Sequence, residues 1–326
     1  GVFRQTNEVK YTLILENEEW LNIGSACKLF GVSRSGYYYW KSNVLRRLAD
    51  KKAAEQLLAV INAEFTKSRE TYGSVKITEC LQQKEVKVSH NTVAKIMKEA
   101  GLKSIVSMKF KPQTTDSNHA KPVYDNWLKR EFTAPCVNYA WCGDVTYIAT
   151  DEGWLYLATV IDLYSNKVIG YATSDKIDRW LVVKALSNAL QARGYPRGVI
   201  MHTDRGSNYC SKVYRNLIKQ NSLVGSMSRK GNCWDNAVAE NFFGLIKKEM
   251  LNHLHFETKT KAELVIFDYI NGWYNPNRIH SKLGYMSPNE FEAANSNRTE
   301  TKLNSVKCCK KPQLLVELTN LVTAMS

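Results

Sequence analysis

Three acidic residues stand at positions where acids are uncommon. Asp144 lies within a segment rich in β-branched and aromatic residues that is typical of a β-strand, and Asp is depleted in strands. Asp204 ends a short apolar segment, and Glu240 lies among apolar residues of a helix that we expect to begin near Asp235. Three converging carboxylates repel one another unless a cation binds between them. Oxygen ligands of this kind suit Mg²⁺ or Mn²⁺, so the set predicts a divalent metal centre.

Glu240 is the least expected of the three, because its helix has an apolar stripe that would face a protein core. That stripe consists of Val238, Phe242, Phe243 and Ile246. A charge on such a face is unfavourable unless it is paired, so we expect Glu240 to face inward as a metal ligand. The alternative for Glu240 is an ion pair with Lys247 or Lys248 on the helix surface. Each aspartate could instead be a turn cap or a local hydrogen-bond acceptor.

The elements that would position these acids form a sheet with covering helices. Residues 141–150, 153–165 and 166–174 are rich in strand-forming residues and are separated by turn signals, which predicts three antiparallel strands. Residues 178–194 are typical of an amphipathic helix, and residues 198–204 are typical of a short fourth strand. A helix after hairpins, followed by another strand, predicts a mixed sheet covered by helices.

The first part of the chain, to about residue 105, has the pattern of a wholly helical region with two helix-turn-helix units. Ser33 and Ser89 are the expected N-caps of the second helix in each unit. A helix over 45–66 is expected to join the units. The second helix of such a unit enters the major groove of DNA. The side chains predicted to contact DNA there are Arg34, Tyr37, His90, Asn91 and Lys95. The alternative is a small helical bundle without a DNA partner.

The composition favours a polyanionic partner. The 326-residue chain has a formal net charge of +14, which favours nucleic acid over an anionic membrane or a small-molecule substrate, although a basic balance also serves solubility. Its eight cysteines have no repeating metal-binding spacing, which favours reduced thiols over a zinc site. No membrane-spanning segment or signal peptide is evident, so we expect a cytosolic protein. The first residue is Gly in place of Met, as expected for a processed, trimmed or frameshifted start.

Ordered motifs surround the three acids. They are Trp141-x-x-Asp144-x-Thr146-Tyr147, His202-Thr203-Asp204-x-Gly206-x-x-Tyr209, and Ser226-Met227-Ser228-Arg229-x-Gly231-Asn232-x-Trp234-Asp235-Asn236-Ala237-x-x-Glu240. With NWLKREF at 126–132 and WYNPNRIHSKLGYMSPNEF at 273–291, they resemble the DDE transposase and retroviral integrase superfamily. The resemblance is closest to the insertion-sequence-three family of bacterial transposases. Thr203 and Asn208 stand where that family more often has Ser and Gln.

The resemblance implies a multidomain protein. An all-α helix-turn-helix region would precede an α/β ribonuclease-H-like integrase core with a mixed five-stranded sheet. The expected domains are a first helix-turn-helix unit over 1–45, a linking helix and second unit over 46–105, an extended linker over 106–138, the DDE core over 139–292 and a C-terminal tail over 293–326. The linker could lie along DNA, and the apolar end of the tail could be a packing or dimer element.

The resemblance also implies an enzyme, a polynucleotidyl transferase that binds the terminal inverted repeats of an insertion sequence. It would catalyse metal-dependent cleavage of DNA 3′ ends and strand transfer. Two Mg²⁺ or Mn²⁺ ions per active site are implied. Asp144 would bridge both ions, Asp204 would hold one and Glu240 the other. The alternative is a catalytically inactive DNA-binding repressor of transposition, which the loss of any one acid would favour.

Further residues are candidates for DNA contacts. Those implied by the resemblance or by the loop before the helix are Lys247, Arg229, Lys230, Asn232 and Arg278, and Arg278 could instead brace the catalytic helix. Tyr209 and Trp234 could stack on an unpaired base, and His202 could approach the metal ions, although a core role suits each of them. The implied partners are double-stranded DNA, as terminal repeats and target, and a second copy of the chain in a dimer on paired ends. The expected location is the bacterial cytoplasm, at the nucleoid.

Overall fold

The computed structural model describes residues 5–107, 122–128, 133–229 and 236–303, with side chains described up to residue 295. The chain divides into two compact units, Gly1–Lys103 and Ser104–Ser326. The expected linker residues 108–121, the loop residues Lys230, Asn232 and Trp234, and most of the C-terminal tail lie outside the described residues. None of the described helices is long and apolar enough to cross a membrane.

The first unit consists of five helices. They are α1 (Asn7–Glu16), α2 (Ile23–Phe30), α3 (Arg34–Lys67), α4 (Ser74–Gln83) and α5 (His90–Glu99). Ser33 caps α3 by accepting a hydrogen bond from the Gly36 backbone N at 3.0 Å, and Ser89 caps α5 by accepting one from Thr92 N at 3.2 Å. Both predicted N-caps are therefore confirmed.

The helix α3 is longer than expected. The separate helix predicted over 45–66 is wrong, because α3 runs without a break over Arg34–Lys67. The physical reason is that the sequence has neither Gly nor Pro between Gly36 and Gly73 to interrupt the backbone hydrogen bonds. At its start α3 packs on α1 and α2, and it also packs on α4 and α5. The domain boundary expected at residue 45 thus lies inside one helix.

The second unit is built on a five-stranded mixed sheet. Its strands are β1 (Ala140–Thr150), β2 (Gly153–Asp162), β3 (Lys167–Ser174), β4 (Ile200–Thr203) and β5 (Val224–Met227). The order across the sheet is β3-β2-β1-β4-β5. Antiparallel pairing joins β1 to β2 and β2 to β3, whereas β4 is parallel to both β1 and β5. The predicted mixed sheet is confirmed.

Helices cover this sheet. They are α6 (Arg179–Ala192), α7 (Lys212–Gln220), α8 (Ala237–Glu249), α9 (Lys259–Phe267), a π-helix (Asp268–Tyr274), α10 (Asn275–Asn277) and α11 (Pro288–Leu303). Trp141 belongs to the core cluster that α6 forms with the sheet, and Val145 packs against that cluster. Side chains alternate across a strand, so Cys142 and Asp144 lie on the other face, where Cys142 contacts Asn236 beside α8.

Part of the expected linker covers the outer edge of the sheet. Met227 N of β5 donates to Asp125 O at 3.3 Å, and Trp127 N donates to Ser226 Oγ at 3.1 Å. The Tyr124 ring packs against Gly225, where an added Cβ would come within 2.6 Å of the ring. Residues 122–128 therefore cover the edge of β5, which would otherwise present unpaired backbone groups, and the possibility that the linker lies along DNA stays a prediction.

Candidate active site

Two neighbouring parallel strands bring Asp144 and Asp204 together. Gly143 of β1 pairs with Thr203 of β4, so the acids that follow these residues lie side by side at a strand separation of about 4.8 Å. Asp204 directly follows the last residue of β4. Parallel pairing thus juxtaposes two carboxylates that are distant in the sequence.

A local backbone N–H orients each of these carboxylates. Asp144 Oδ1 accepts from Val145 N at 2.8 Å, and Asp204 Oδ1 accepts from Gly206 N at 2.9 Å. A Cβ added at Gly206 would lie 2.9 Å from Asp204 Oδ1. The absence of a side chain at residue 206 therefore allows the Asp204 carboxylate to fold back onto the turn that follows β4.

Glu240 does not face the protein core, and the expectation that it does is wrong. It is exposed, and the buried residues of α8 are Ala239, Phe242, Phe243, Ile246 and Glu249. Successive helical residues are about 100° apart, so Lys247, seven residues after Glu240, lies on the same side of α8. Glu249, nine residues after Glu240, lies on the opposite side. The inward-facing glutamate of this helix is Glu249.

The three predicted acids form one electrostatic group. Burial raises the pKa of Asp144 well above its ordinary value, and the charges of Asp204 and then Glu240 raise it further. The Val145 N–H and the Lys247 ammonium oppose this increase. The pKa of Glu240 is also raised, first by the loss of surrounding water and then by the charge of Asp204. Each acid thus makes ionisation of a neighbour less favourable, which is the repulsion expected of a shared site.

Lys247 belongs to the same group. Its Nζ lies 5.0 Å from the centroid of the Tyr147 ring, a distance at which a cation is attracted to an aromatic face. Burial lowers the pKa of Lys247, and the negative charge of Asp144 counteracts that decrease. A positive charge therefore lies beside the acids on the exposed side of α8.

The donor set suits a hard divalent cation, since it consists of carboxylate oxygens that repel one another. Nevertheless, in the part of the chain that the structure describes, no group of three or more His, Cys, Asp or Glu side chains is placed so that it could hold a metal ion. Asp144 and Asp204 are side by side, whereas Glu240 is exposed. A three-ligand site is thus incomplete in this conformation.

Two side chains to which the sequence analysis gave no role frame the site. Asn236, which precedes α8, accepts a hydrogen bond from Cys142 Sγ at 2.7 Å, which ties the start of the helix to β1. Arg205 Nε donates to Ser228 O at 2.6 Å, which ties the end of β4 to the end of β5. The sequence signal that could have identified them is their position directly after an acidic residue of a motif, Asp204 for Arg205 and Asp235 for Asn236.

Glu249 binds Arg278 in the protein interior. Arg278 Nε donates to both carboxylate oxygens of Glu249 at 3.0 Å, and Nη2 donates to Oε1 at 2.6 Å. Arg278 is 5% exposed, so the expectation that it contacts DNA is wrong, whereas the alternative that it braces the helix of Glu240 agrees with its ion pair to Glu249 of α8. Sequence reasoning missed Glu249, although it continues the apolar stripe of α8 one turn beyond Ile246.

The sequence of this chain matches known families. The family model described as "Integrase core domain" matches residues 134–233, and a second model with that description matches residues 240–295. A model described as "HTH-like domain" matches residues 52–110. Transposase InsF for insertion sequence IS3A from Escherichia coli (strain K12) is 39% identical over 287 residues, which are 88% of this chain and 99% of that protein. This chain belongs to the IS3-family transposases.

Two further similarities accompany this relationship. The insertion element IS600 uncharacterized 31 kDa protein of Shigella sonnei is 42% identical to this transposase over 81% of this chain and 96% of that protein. The catalytic core domain of HTLV-2 integrase, solved in complex with magnesium, is 17% identical with a TM-score of 0.38, and the match covers 48% of this chain and 98% of that one.

His202 of the transposase lies in the core. It is 0% exposed, and its Nδ1 lies 2.8 Å from Ser226 Oγ. Its other ring nitrogen, Nε2, lies 3.3 Å from Ser228 Oγ, so both ring nitrogens have hydroxyl partners in the core. Tyr209 is also buried and packs on Tyr214 at a centroid distance of 5.3 Å. The prediction that Tyr209 could stack on an unpaired base is therefore wrong.

The first helix-turn-helix unit separates its two predicted DNA contacts. Arg34 is exposed, with its Cζ 5.7 Å from the centroid of the Tyr38 ring. Tyr37 is 0% exposed and belongs to a core cluster with Tyr11. The expectation that Tyr37 contacts DNA is wrong, because this side chain lies on the face of α3 that packs against α1 and α2. The exposed aromatic residue beside Arg34 is Tyr38.

The predicted contacts in the second unit are all at the surface. His90, Asn91 and Lys95 are exposed at the start and middle of α5. The His90 Nε2 lies 2.9 Å from Ser74 Oγ of α4, and Lys95 Nζ lies 3.9 Å from Glu99 Oε1. Arg229 is likewise exposed where the loop before α8 begins. These four residues remain predicted DNA contacts.

Proposed function

We propose that this chain binds the terminal inverted repeats of an insertion sequence and catalyses cleavage of DNA 3′ ends and strand transfer. One observation carries the proposal. Asp144 of β1 and Asp204, directly after β4, lie side by side, and Glu240 of α8 is close enough for its charge to raise the pKa of Asp144 and for the charge of Asp204 to raise its own. Acids are placed together in this way where a cation and phosphate oxygens are to be bound. IS3-family membership gives the substrate class as DNA.

The acids Asp144, Asp204 and Glu240 would hold two Mg²⁺ or Mn²⁺ ions. Bound divalent ions supply activation of the attacking oxygen and stabilisation of the leaving oxygen in phosphoryl transfer. The role of the protein is to orient the ligands, and the hydrogen bonds from Val145 N and Gly206 N do this for the two aspartates.

Lys247 would hold the DNA phosphate beside the acids. Its ammonium lies on the same side of α8 as Glu240, and contact with the Tyr147 ring limits its freedom. A cation fixed there attracts a phosphodiester and offsets part of the negative charge of the site. The attacking groups would be water in the cleavage step and the freed 3′-hydroxyl in strand transfer.

The remaining assignments complete this proposal. The two helix-turn-helix units, one formed by α2 and the start of α3 and the other by α4 and α5, would bind the repeats, and residues 139–292 would form the catalytic core. Arg34, His90, Asn91, Lys95 and Arg229 would contact DNA, together with Lys230 and Asn232. The active assembly would be a dimer on paired ends, acting in the bacterial cytoplasm at the nucleoid. The alternative, a catalytically inactive repressor, lacks support because all three acids are present in the sequence.

The decisive experiment replaces Glu240 by Gln. We expect Glu240→Gln to abolish cleavage and joining of a duplex that carries the inverted repeat flanking the gene, in Mg²⁺, while the dissociation constant for that duplex changes less than about twofold. Cleavage is read on denaturing gels, and binding is read by fluorescence anisotropy. The matched control is Glu263→Gln, because Glu263 accepts from Thr173 Oγ1 at 2.7 Å and a glutamine oxygen can still accept. Normal strand transfer by Glu240→Gln would contradict the assignment.

A further inference from the structure

The helix α8 has an exposed side and a buried side, and each ends in a charged residue. Glu240 and Lys247 lie on the exposed side, whereas the buried side ends at Glu249. A carboxylate is costly on the core side of a helix unless it is paired. Glu249, directly opposite Glu240 on the helix, must therefore have partners that offset the cost of its burial.

Three donors satisfy the Glu249 carboxylate. The Arg278 guanidinium binds it in a two-pronged arrangement with donor–acceptor distances of 2.6 and 3.0 Å, and Tyr269 OH donates to Oε2 at 2.9 Å. The side chains of Arg278 and Glu249 are only 6% and 3% exposed. Although burial lowers the pKa of Arg278, the hydrogen bond and charge of Glu249 raise it on balance. Arg278 is therefore a permanent cation whose counter-charge is on α8.

The same segment of chain touches α8 at a second place. The Tyr274 ring packs edge-on against Phe242 at a centroid distance of 4.9 Å, and the Arg278 Cζ lies 6.0 Å from the Tyr274 centroid. Phe242 is two residues after Glu240. The segment 268–278 thus contacts α8 at two places, through an aromatic pair near the middle of the helix and through an ion pair at its C-terminal end.

This segment is itself fixed to the sheet. Asn275 accepts from Val168 N at 3.0 Å and donates to Val168 O at 2.9 Å, as a neighbouring strand would. Tyr274 OH donates to Asn166 O at 3.0 Å. Residues 268–278 therefore connect β3 to the buried side of α8.

We propose that Glu249 and Arg278 are a positioning pair that sets the rotation of α8 about its axis and so directs Glu240 and Lys247 towards Asp144 and Asp204. The proposal deepens the proposed function and rests on it. Apolar contacts such as Phe242 with Tyr274 are non-directional and tolerate small rotations. The planar fork of Arg278 fixes the direction of the Glu249 carboxylate, and a helix held on that side cannot rotate without breaking the pair. Neither residue touches the reacting atoms.

The test compares three variants in the full chain. Arg278→Lys keeps the charge but loses the fork, Glu249→Gln keeps the shape but loses the charge, and the double variant Glu249→Met with Arg278→Met replaces the pair by apolar side chains. In each we expect the single-turnover rate of end cleavage in Mg²⁺ to fall ten- to hundredfold, as small misplacements of catalytic groups cause. The dissociation constant for the duplex should change less than about twofold. The thermal unfolding temperature is measured in parallel, because an apolar pair can be as stable as a buried ion pair.

Arg193→Lys is the matched control. Arg193 also forms a two-pronged pair, with Glu292, through bonds of 2.5 and 3.1 Å, but this pair joins α6 to α11 and does not involve α8. It should lose comparable stability and keep a cleavage rate within about twofold of the unaltered protein. Equal loss of rate in Arg193→Lys and Arg278→Lys would show a merely structural role and overturn the proposal. Normal cleavage rates in both Arg278→Lys and Glu249→Gln would also overturn the proposal.

The two proposals fail in different ways. If the unaltered protein cleaves no end duplex, the proposed function fails. If it does, and Glu240→Gln is inactive while the variants of Glu249 and Arg278 turn over normally, only the positioning role fails. Should the double variant not fold, the single variants decide the outcome by themselves.

Discussion

Packing of α6 against β3 depends on the absence of one side chain, at Gly170. A Cβ built on Gly170 would lie 2.5 Å from Ala185 O, 2.5 Å from Ala189 N and 2.6 Å from Ala189 Cβ. Ordinary contacts between such atoms are about 3.5–4 Å. The first two are helix backbone atoms, which cannot rotate away as a long side chain would. Gly170→Ala therefore forces α6 outward by about 1 Å, since nothing else can yield.

The expected cost follows from that displacement. Overpacking of a filled core costs about 1–3 kcal/mol, and three simultaneous overlaps place Gly170→Ala at the upper end, about 3 kcal/mol. For a unit of this size each kcal/mol shifts the unfolding temperature by roughly 2–4 °C. We therefore expect a decrease of about 6–12 °C, measured by differential scanning calorimetry of the full chain.

The same substitution at Gly244 is the control. Gly244 lies inside α8, and among the described residues nothing outside its own helical turn lies within 4 Å of a Cβ built there. Alanine is favoured over glycine in a helix by about 0.5–1 kcal/mol, so Gly244→Ala should raise the unfolding temperature by about 1–4 °C. The two variants must shift the transition in opposite directions. An unfolding temperature of Gly170→Ala equal to or above that of the unaltered protein would refute the packing argument.

Two further predictions concern buried polar groups. Burial raises the pKa of Asp162 to about 6, so its favourable contribution to folding is present below the ordinary pKa and is lost as pH rises through about 6. At 1.36 kcal/mol per pKa unit this amounts to about 3 kcal/mol. Urea unfolding should accordingly show that the free energy of unfolding of Asp162→Asn, relative to that of the unaltered protein, rises by about that much between about pH 4 and pH 7.5. A difference that does not depend on pH would contradict this prediction. The Tyr37 hydroxyl is buried without a hydrogen-bond partner among the described residues, so Tyr37→Phe should leave stability within about 1 kcal/mol or raise it, whereas Tyr37→Ala should cost about 3–5 kcal/mol. Weakened duplex binding by Tyr37→Phe at unchanged stability would restore Tyr37 as a DNA contact.

Local patterns accounted for much of the fold. The strands around Asp144 and the helix that begins after Asp178 were predicted within a few residues, because alternation, turn residues and caps act between neighbours in the chain. Ser33 and Ser89 were identified as N-caps for the same reason. Where no local signal marked an end, as in α3, the prediction divided one helix in two.

The burial of single side chains was less predictable. The apolar stripe of α8 was visible in the sequence, but its centre was placed too close to Glu240, and Glu249 at its end was overlooked. Arg278 and Tyr37 were expected at a DNA surface, and both are buried. A charged or aromatic residue at a given position suits either environment, and the partner that decides between them comes from a distant part of the chain.

By itself the sequence determined which residue types are available: three acids in strand and helix patterns, two helix-turn-helix units and a basic balance. Only the tertiary structure decided that Asp144 and Asp204 are neighbours, since parallel pairing of β1 with β4 joins segments separated by two other strands and a helix. It also decided which glutamate of α8 faces outward, because Arg278 pairs with Glu249 from behind the helix. Backbone patterns arise from interactions over a few residues, whereas charge pairing and burial depend on contacts that exist only after the chain has folded.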